Sequence, residues 1–219
     1  MVETVKKNLT LAAAALIGVI AGILISSLVY VMTGFSLFGE VRGKPSGATN
    51  VSNAELSALA YNILDKIKDG DYVALSRYTH PDFGVLFSPQ ATVAKSTNKR
   101  FYADEIAAFG TNANVYVWGI NNANGEPIEM TPVEYFARYV FYKDYTEAPF
   151  VGVNHIIKSG NALENITDVF PDMQFIEFHI PGGDQDAVAD VDWCTLRLGF
   201  DEYAGSLWLT AIIHSEWSI

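Results

Sequence analysis

The sequence predicts an α+β domain, helices first and an antiparallel sheet after, carried behind one N-terminal membrane-crossing helix. Three observations predict it. Asn8 to Gly39 holds no charged residue, and its core, Leu11 to Met32, is almost wholly apolar. Ser52 to Asp69 repeats apolar residues at helical spacing. From Met173 onward apolar residues recur at period two, the spacing of a strand with one buried face.

Leu11 to Met32 meets the length of about 20 apolar residues that a helix needs to cross a bilayer. It is longer than the apolar stretch of a cleavable signal peptide, and it ends in bulky Val29, Tyr30, Val31 and Met32 rather than a small-x-small cleavage site. The reading is an uncleaved signal anchor. Lys6 and Lys7 before the helix balance Arg42 and Lys44 after it, so the positive-inside rule does not orient it. A short N-terminus before a large C-terminal domain favours the N-terminus inside and the domain outside. Ala14, Gly18, Gly22 and Ser26 recur every four residues, the small-residue face that lets two membrane helices approach.

These signals divide the chain into a cytoplasmic N-terminus (1–8), a transmembrane anchor (9–38), a flexible Gly/Ser/Pro/Asn linker (39–53) and an extracytoplasmic domain (54–219). Residues 1–50 hold four Lys/Arg against two Asp/Glu, and the rest holds ten against twenty-three, so the acidity lies in the domain. No basic patch is present, and nucleic acid is excluded as a partner. One cysteine, Cys194, excludes an intrachain disulfide framework and reads as a small buried hydrophobe.

Within the domain, the first helix places Leu56, Leu59, Ala60, Ile63, Leu64 and Ile67 on one face, with a Ser52/Glu55 capping box and a Gly70 stop. A second helix starts at Asp71 and ends before His80-Pro81, where a cationic His80 would favour the helix dipole. Phe83 to Pro89 reads as a strand, Tyr102 to Phe109 as a helix and Val115 to Ile120 as a strand. Thr131-Pro132-Val133-Glu134 opens a helix running to about Tyr142. Met173 to Ile180 and Asp192 to Tyr203 alternate as strands, and Ala204-Gly205 is a hairpin turn. In the last strand Leu207, Leu209, Ala211 and Ile213 alternate with Trp208, Thr210, Ile212 and His214. Both sets are largely apolar, so this strand should be interior to the sheet.

This order of elements resembles the nuclear transport factor 2-like fold, which implies a curved sheet wrapped around a long helix as an open-mouthed cone. The strings HPDFGVLFSP, VWG, GEPIEMTPVEYFARYVFYKDY, IEFHIPG, DWCTLRLGF and LTAIIHSEWSI also resemble an uncharacterised domain of bacterial exported proteins and lipoproteins. That domain has no assigned activity. This chain departs from its lipoprotein members by carrying a membrane helix in place of a lipidated cysteine.

Polar residues interrupting the apolar strands are the chemical candidates. Glu177 and His179 share one strand face, Arg197 lies with Trp193 and Thr195, and His214 lies with Trp208 and Ile212. Converging in a cone mouth, such a set would suit proton abstraction or dehydration, the arrangement of enzymes of the resembled fold such as ketosteroid isomerase and scytalone dehydratase, but no motif of either is matched and nothing is carried over from them. The plainer reading makes Glu177–Arg197 a structural ion pair. Asp192, Trp193 and Trp208 are binding candidates, and the aromatics from Tyr135 to Tyr145 would suit a ligand or glycan groove. Asp184, Asp186, Asp190 and Asp192 supply oxygen ligands that Ca²⁺ prefers, but their spacing is not that of an EF-hand. No nucleotide, zinc or nucleophile-elbow motif occurs, and no cofactor is expected. The expected function is a tethered, non-catalytic binding or assembly module whose partners are the bilayer, a second copy through the membrane helix, and an extracytoplasmic protein or small ligand. The alternative is an acid-base enzyme acting on a small apolar substrate.

Overall fold

The computed structural model describes residues 51–183 and 192–217. The described residues all belong to one compact unit, Ala48–Ile219. The apolar segment and its Ala14/Gly18/Gly22/Ser26 face lie outside the described residues, as do Asp184, Asp186 and Asp190. Among the described residues no helix is long and apolar enough to cross a membrane.

The domain opens with α1 (Asn53–Lys68), capped by Ser52 and Glu55 as the sequence implies, with Leu56, Ala60, Ile63, Leu64 and Ile67 buried. The short α2 (Tyr72–Ser76) follows, with the Asp71 side chain accepting from Ala74 N–H. Then come β1 (Val85–Ser88), β2 (Lys99–Phe101), α3 (Ala103–Ala107), β3 (Tyr116–Ile120), β4 (Pro127–Met130) and α4 (Pro132–Tyr135). After β5 (Phe150–Val153) and α5 (Ile166–Val169), the chain ends in β6 (Gln174–Ile180), β7 (Cys194–Tyr203) and β8 (Ser206–Glu216).

Six strands form one sheet in the order β2-β1-β8-β7-β6-β5, and β3 pairs with β4 separately. The last strand is therefore interior, as its two apolar faces require. The sheet is not wholly antiparallel, because β1 runs parallel to β8. Alternation reports which face a side chain takes, not which direction its neighbour runs, so this was not readable beforehand. The short strands β2, β4 and β5 escaped the sequence reading because three or four residues are too few to show a period.

One face of the sheet carries the main core, where α1 packs with Phe87, Leu196, Leu198, Ile212, Trp118, Tyr135 and Phe136. The other face carries a smaller cluster of Leu86, Phe175, Ala211, Ile213 and Ile166. Strict alternation along β8 fails at one place. Gly199 pairs with Ala211 but Phe200 pairs with Leu209, leaving Thr210 as an extra residue, a β-bulge. Leu207 and Leu209 thus join Ile212 and His214 on the main-core face, while Ala211 and Ile213 take the other. The expected grouping of Leu207 with Ala211, and of Trp208 with Ile212, is corrected by this bulge.

The helix expected to run to Tyr142 changes form early. After α4 the backbone widens into a π-helical turn over Phe136–Val140, and Phe141 N–H bonds to Phe136 C=O. The inserted residue rotates Arg138 and Tyr139 off the α-helical register. His80 does not cap a helix as a cation. The helix before it ends at Ser76, and His80 is buried with its Nδ1 accepting from Asp82 and Phe83 N–H.

Candidate functional site

The strand register divides the predicted residues between the two faces. On the small-cluster face Glu177 sits directly across from Arg197, and His179 across from Thr195. His214 lies across from Leu196, on the main-core face. Glu177, His179, Arg197 and His214 therefore do not converge, because one sheet separates the last from the other three.

Arg197 is enclosed by two carboxylates. Its Nε donates to Glu177 at 2.6 Å, and Nη1 and Nη2 donate to Glu164 at 2.6 and 2.9 Å. Both Arg197 and Glu177 side chains are fully buried. Burial works against the Arg197 charge, but Glu177 and Glu164 overcome it and keep the guanidinium protonated. The second Glu177 oxygen accepts from Ile157 and Lys158 N–H at 3.1 and 3.3 Å. The cluster thus ties the segment between β5 and α5 onto the sheet, and its main groups are partnered within the protein. Glu164 was not visible in the sequence, since it lies in an irregular segment. His179 packs near Phe150 and Trp193, each ring 6.0 Å away.

The opposite face holds a different constellation, and the sequence reading missed most of it. Arg138, on the π-helical turn and half-exposed, grips Glu216 with two bonds of 2.5 and 3.2 Å. His214 Nε2 lies 3.2 Å from Glu216 Oε2, close enough for an ion pair but not aligned as a hydrogen bond. Tyr139 meets the His214 ring edge-to-face at 5.6 Å. Burial alone would raise the Glu216 carboxyl, but His214 and Arg138 outweigh it and hold the group at about 2. Burial lowers His214 below its ordinary value, against the pull of Glu216. Burial also pushes the Cys194 thiol up, away from the thiolate a nucleophile needs. His214 and Glu216 are two apart in β8, beyond the bulge, and share a face. That was the available signal. The arrival of Arg138 was not readable.

The main-core face of the six-stranded sheet is packed with aromatic rings. Trp118 stacks on Tyr135 at 3.7 Å and 9°, and Phe87, Phe101, Phe109 and Phe136 pack around the pair. Glu177, His179 and His214 line none of four cavities found among the described residues. One of these, about 640 Å³, opens where β7 begins and β8 ends, bounded by Tyr142, Lys143, Asp192, Trp193, Glu216 and Trp217. Two of the three predicted binding residues are here. The third is not. Trp208 sits at the far end of the β7–β8 hairpin, with its indole N–H donating to Tyr203 C=O. Among the described residues no group of three or more His, Cys, Asp or Glu could hold a metal ion.

Asn165 uses its side-chain amide to bridge both backbone groups of Val93. No protein-family model matches the chain, and no curated protein is similar to it. Among solved structures, the chain is similar to a putative calcium/calmodulin-dependent protein kinase II association domain from Xanthomonas campestris. The identity is 10%, over 81% of this chain and 97% of that one, with a TM-score of 0.33. A likeness that low carries no argument, so the α+β assignment rests on the elements themselves.

Proposed function

We propose that this chain is a membrane-tethered extracytoplasmic module, a nuclear transport factor 2-like cone that binds a partner or ligand and performs no chemistry. The aromatic packing of the main-core face carries the reading. The position where an enzyme of this shape would hold substrate is occupied by Trp118, Tyr135 and four phenylalanines. Both ionisable clusters are engaged internally, and a carboxyl held at about 2 is a poor proton donor at neutral pH. The tether, its outward orientation, its pairing with a second copy through the small-residue face and the kinship with exported bacterial domains rest on the sequence.

The acid-base alternative has one point in its favour, the approach of His214 to Glu216. Thermal melts of the full-length chain separate the two readings. In the module reading, Glu177→Gln and His214→Gln each lower the melting temperature, because each disrupts a buried contact. Wild-type melting in both would move these residues to the catalytic reading. Carbonate washing of membranes tests the tether. The chain should stay in the membrane fraction, and its release would remove the anchor from the proposal.

A further inference from the structure

A cavity of about 220 Å³ opens on the small-cluster face, bounded by Phe83, Lys95, Arg100, Phe170, Asp201 and Thr210. All six fall within the described segments. Phe101 and Phe200 belong to the main core, so Arg100 of β2 and Asp201 of β7, each next to one of them, project from the opposite face. β1 and β8 lie between these two strands, so the two side chains reach the cavity from opposite flanks. Thr210, the bulged residue of β8, lies between them. Phe83, which precedes β1, is 57% exposed.

Three charged groups line this cavity. Arg100 spends one N–H on the Phe83 carbonyl, and burial works against its charge. Lys95 donates to the Val169 carbonyl at 2.8 Å and covers the Phe170 ring at 4.5 Å. Asp201 is half-buried, and that burial raises its carboxyl against the pull of His80, Thr210 and Lys95. Among the described residues no salt bridge joins Asp201, Lys95 or Arg100 to any partner. Each partly desolvated charge therefore lacks an opposite charge to offset its lost hydration. A simple anion would complement Lys95 and Arg100 but meet a like charge at Asp201. A simple cation would do the reverse. A ligand carrying one group of each sign complements all three. The rings of Phe83 and Phe170 add an apolar wall, and 220 Å³ is below the size of a drug-like pocket. An α-amino acid with an apolar side chain carries an anion, a cation and an apolar branch on one carbon.

Resting on the binding-module reading, we propose that this cavity binds a free α-amino acid with an apolar side chain, its carboxylate held by Arg100 and Lys95, its ammonium by Asp201 and its side chain against Phe83 and Phe170. The test is calorimetric titration of the full-length chain in detergent with leucine and phenylalanine up to about 5 mM. At least one should bind. The matching analogue without the ammonium (isocaproate or hydrocinnamate) and the one without the carboxylate (isoamylamine or phenethylamine) should each bind about tenfold or more weakly. Asp201→Asn should weaken the amino acid by about tenfold or more and leave the ammonium-free analogue unchanged. Arg100→Gln should weaken both. The analogue series uses the wild-type chain, so it decides the matter even if Arg100→Gln fails to fold. No binding of either amino acid, equal binding of an analogue with a single charge, or full binding in Asp201→Asn overturns the amino-acid assignment. These failures leave the module reading standing if Glu177→Gln still lowers the melt. Consumption of the bound amino acid would instead overturn the module reading and keep the site.

Discussion

Leu209 and Ala211 lie two residues apart on β8 and face opposite sides of the sheet. The bulge at Thr210 causes this. Thr210 Oγ1 accepts from Asp201 N–H at 3.2 Å, giving a donor at the interrupted ladder a partner. The bulge also decides where the chemistry lies. Downstream of it, His214 and Glu216 enter the main-core face, toward the π-helical turn that presents Arg138. A β8 of strict alternation from Leu207 would have placed them on the same side as Glu177 and Arg197.

The Arg197 cluster makes an asymmetric prediction. Arg197→Met strands two carboxylates, one of them fully buried, and should cost about 3–5 kcal/mol. Glu177→Gln leaves Arg197 paired with Glu164 and should cost less, about 1–3 kcal/mol for a lost charged hydrogen bond. Denaturant unfolding of both variants measures the order. Equal costs would mean that Glu164 does not hold the charge.

Stability should fall with acid through two histidines. Burial lowers both His80 and His214 below their ordinary 6.5. As pH falls, the unfolded chain takes up these protons before the folded one does. The stabilisation is thus complete above about 6.5 and lost below it. At His80, protonating Nδ1 would also displace the N–H groups of Asp82 and Phe83. His80→Asn keeps a local acceptor without a titrating ring. It should lower the melt at neutral pH yet reduce the decline between pH 6.5 and 5. A decline as steep as wild type would place the titration elsewhere.

Gly84 should not tolerate a side chain. Its φ is +66°, and a Cβ there would overlap the Phe101 carbonyl oxygen, beside the Val85–Phe101 pair of β1 and β2. Gly84→Ala should destabilise by about 1–3 kcal/mol or more. Gly70→Ala meets no neighbouring atom and should bear the cost of its positive φ alone. A comparison of the two melts isolates the overlap, and indistinguishable melts would contradict it.

The N-terminal helix makes a prediction from sequence alone. If Ala14, Gly18, Gly22 and Ser26 form a contact face, replacing Gly18 and Gly22 with leucine should reduce self-association in a membrane two-hybrid assay. An unchanged signal would reassign these glycines to lipid-facing positions.

By itself the sequence determined the local features. The Ser52/Glu55 and Thr131/Glu134 capping boxes, the apolar stripe of α1, the Ala204-Gly205 turn and the interior position of β8 all follow from spacings within a few residues. Local spacing expresses local geometry, so these were readable. The separation of His214 from Glu177, His179 and Arg197 was not, because one extra residue at Thr210 reverses a face and leaves no mark in an apolar strand. The second carboxylate on Arg197 and the grip of Arg138 on Glu216 depend on residues 33 and 78 positions away. The parallel pairing of β1 with β8 joins segments more than a hundred residues apart in the chain. Tertiary structure decided these, since pairing across such distances depends on how whole elements pack and not on the residues beside each partner.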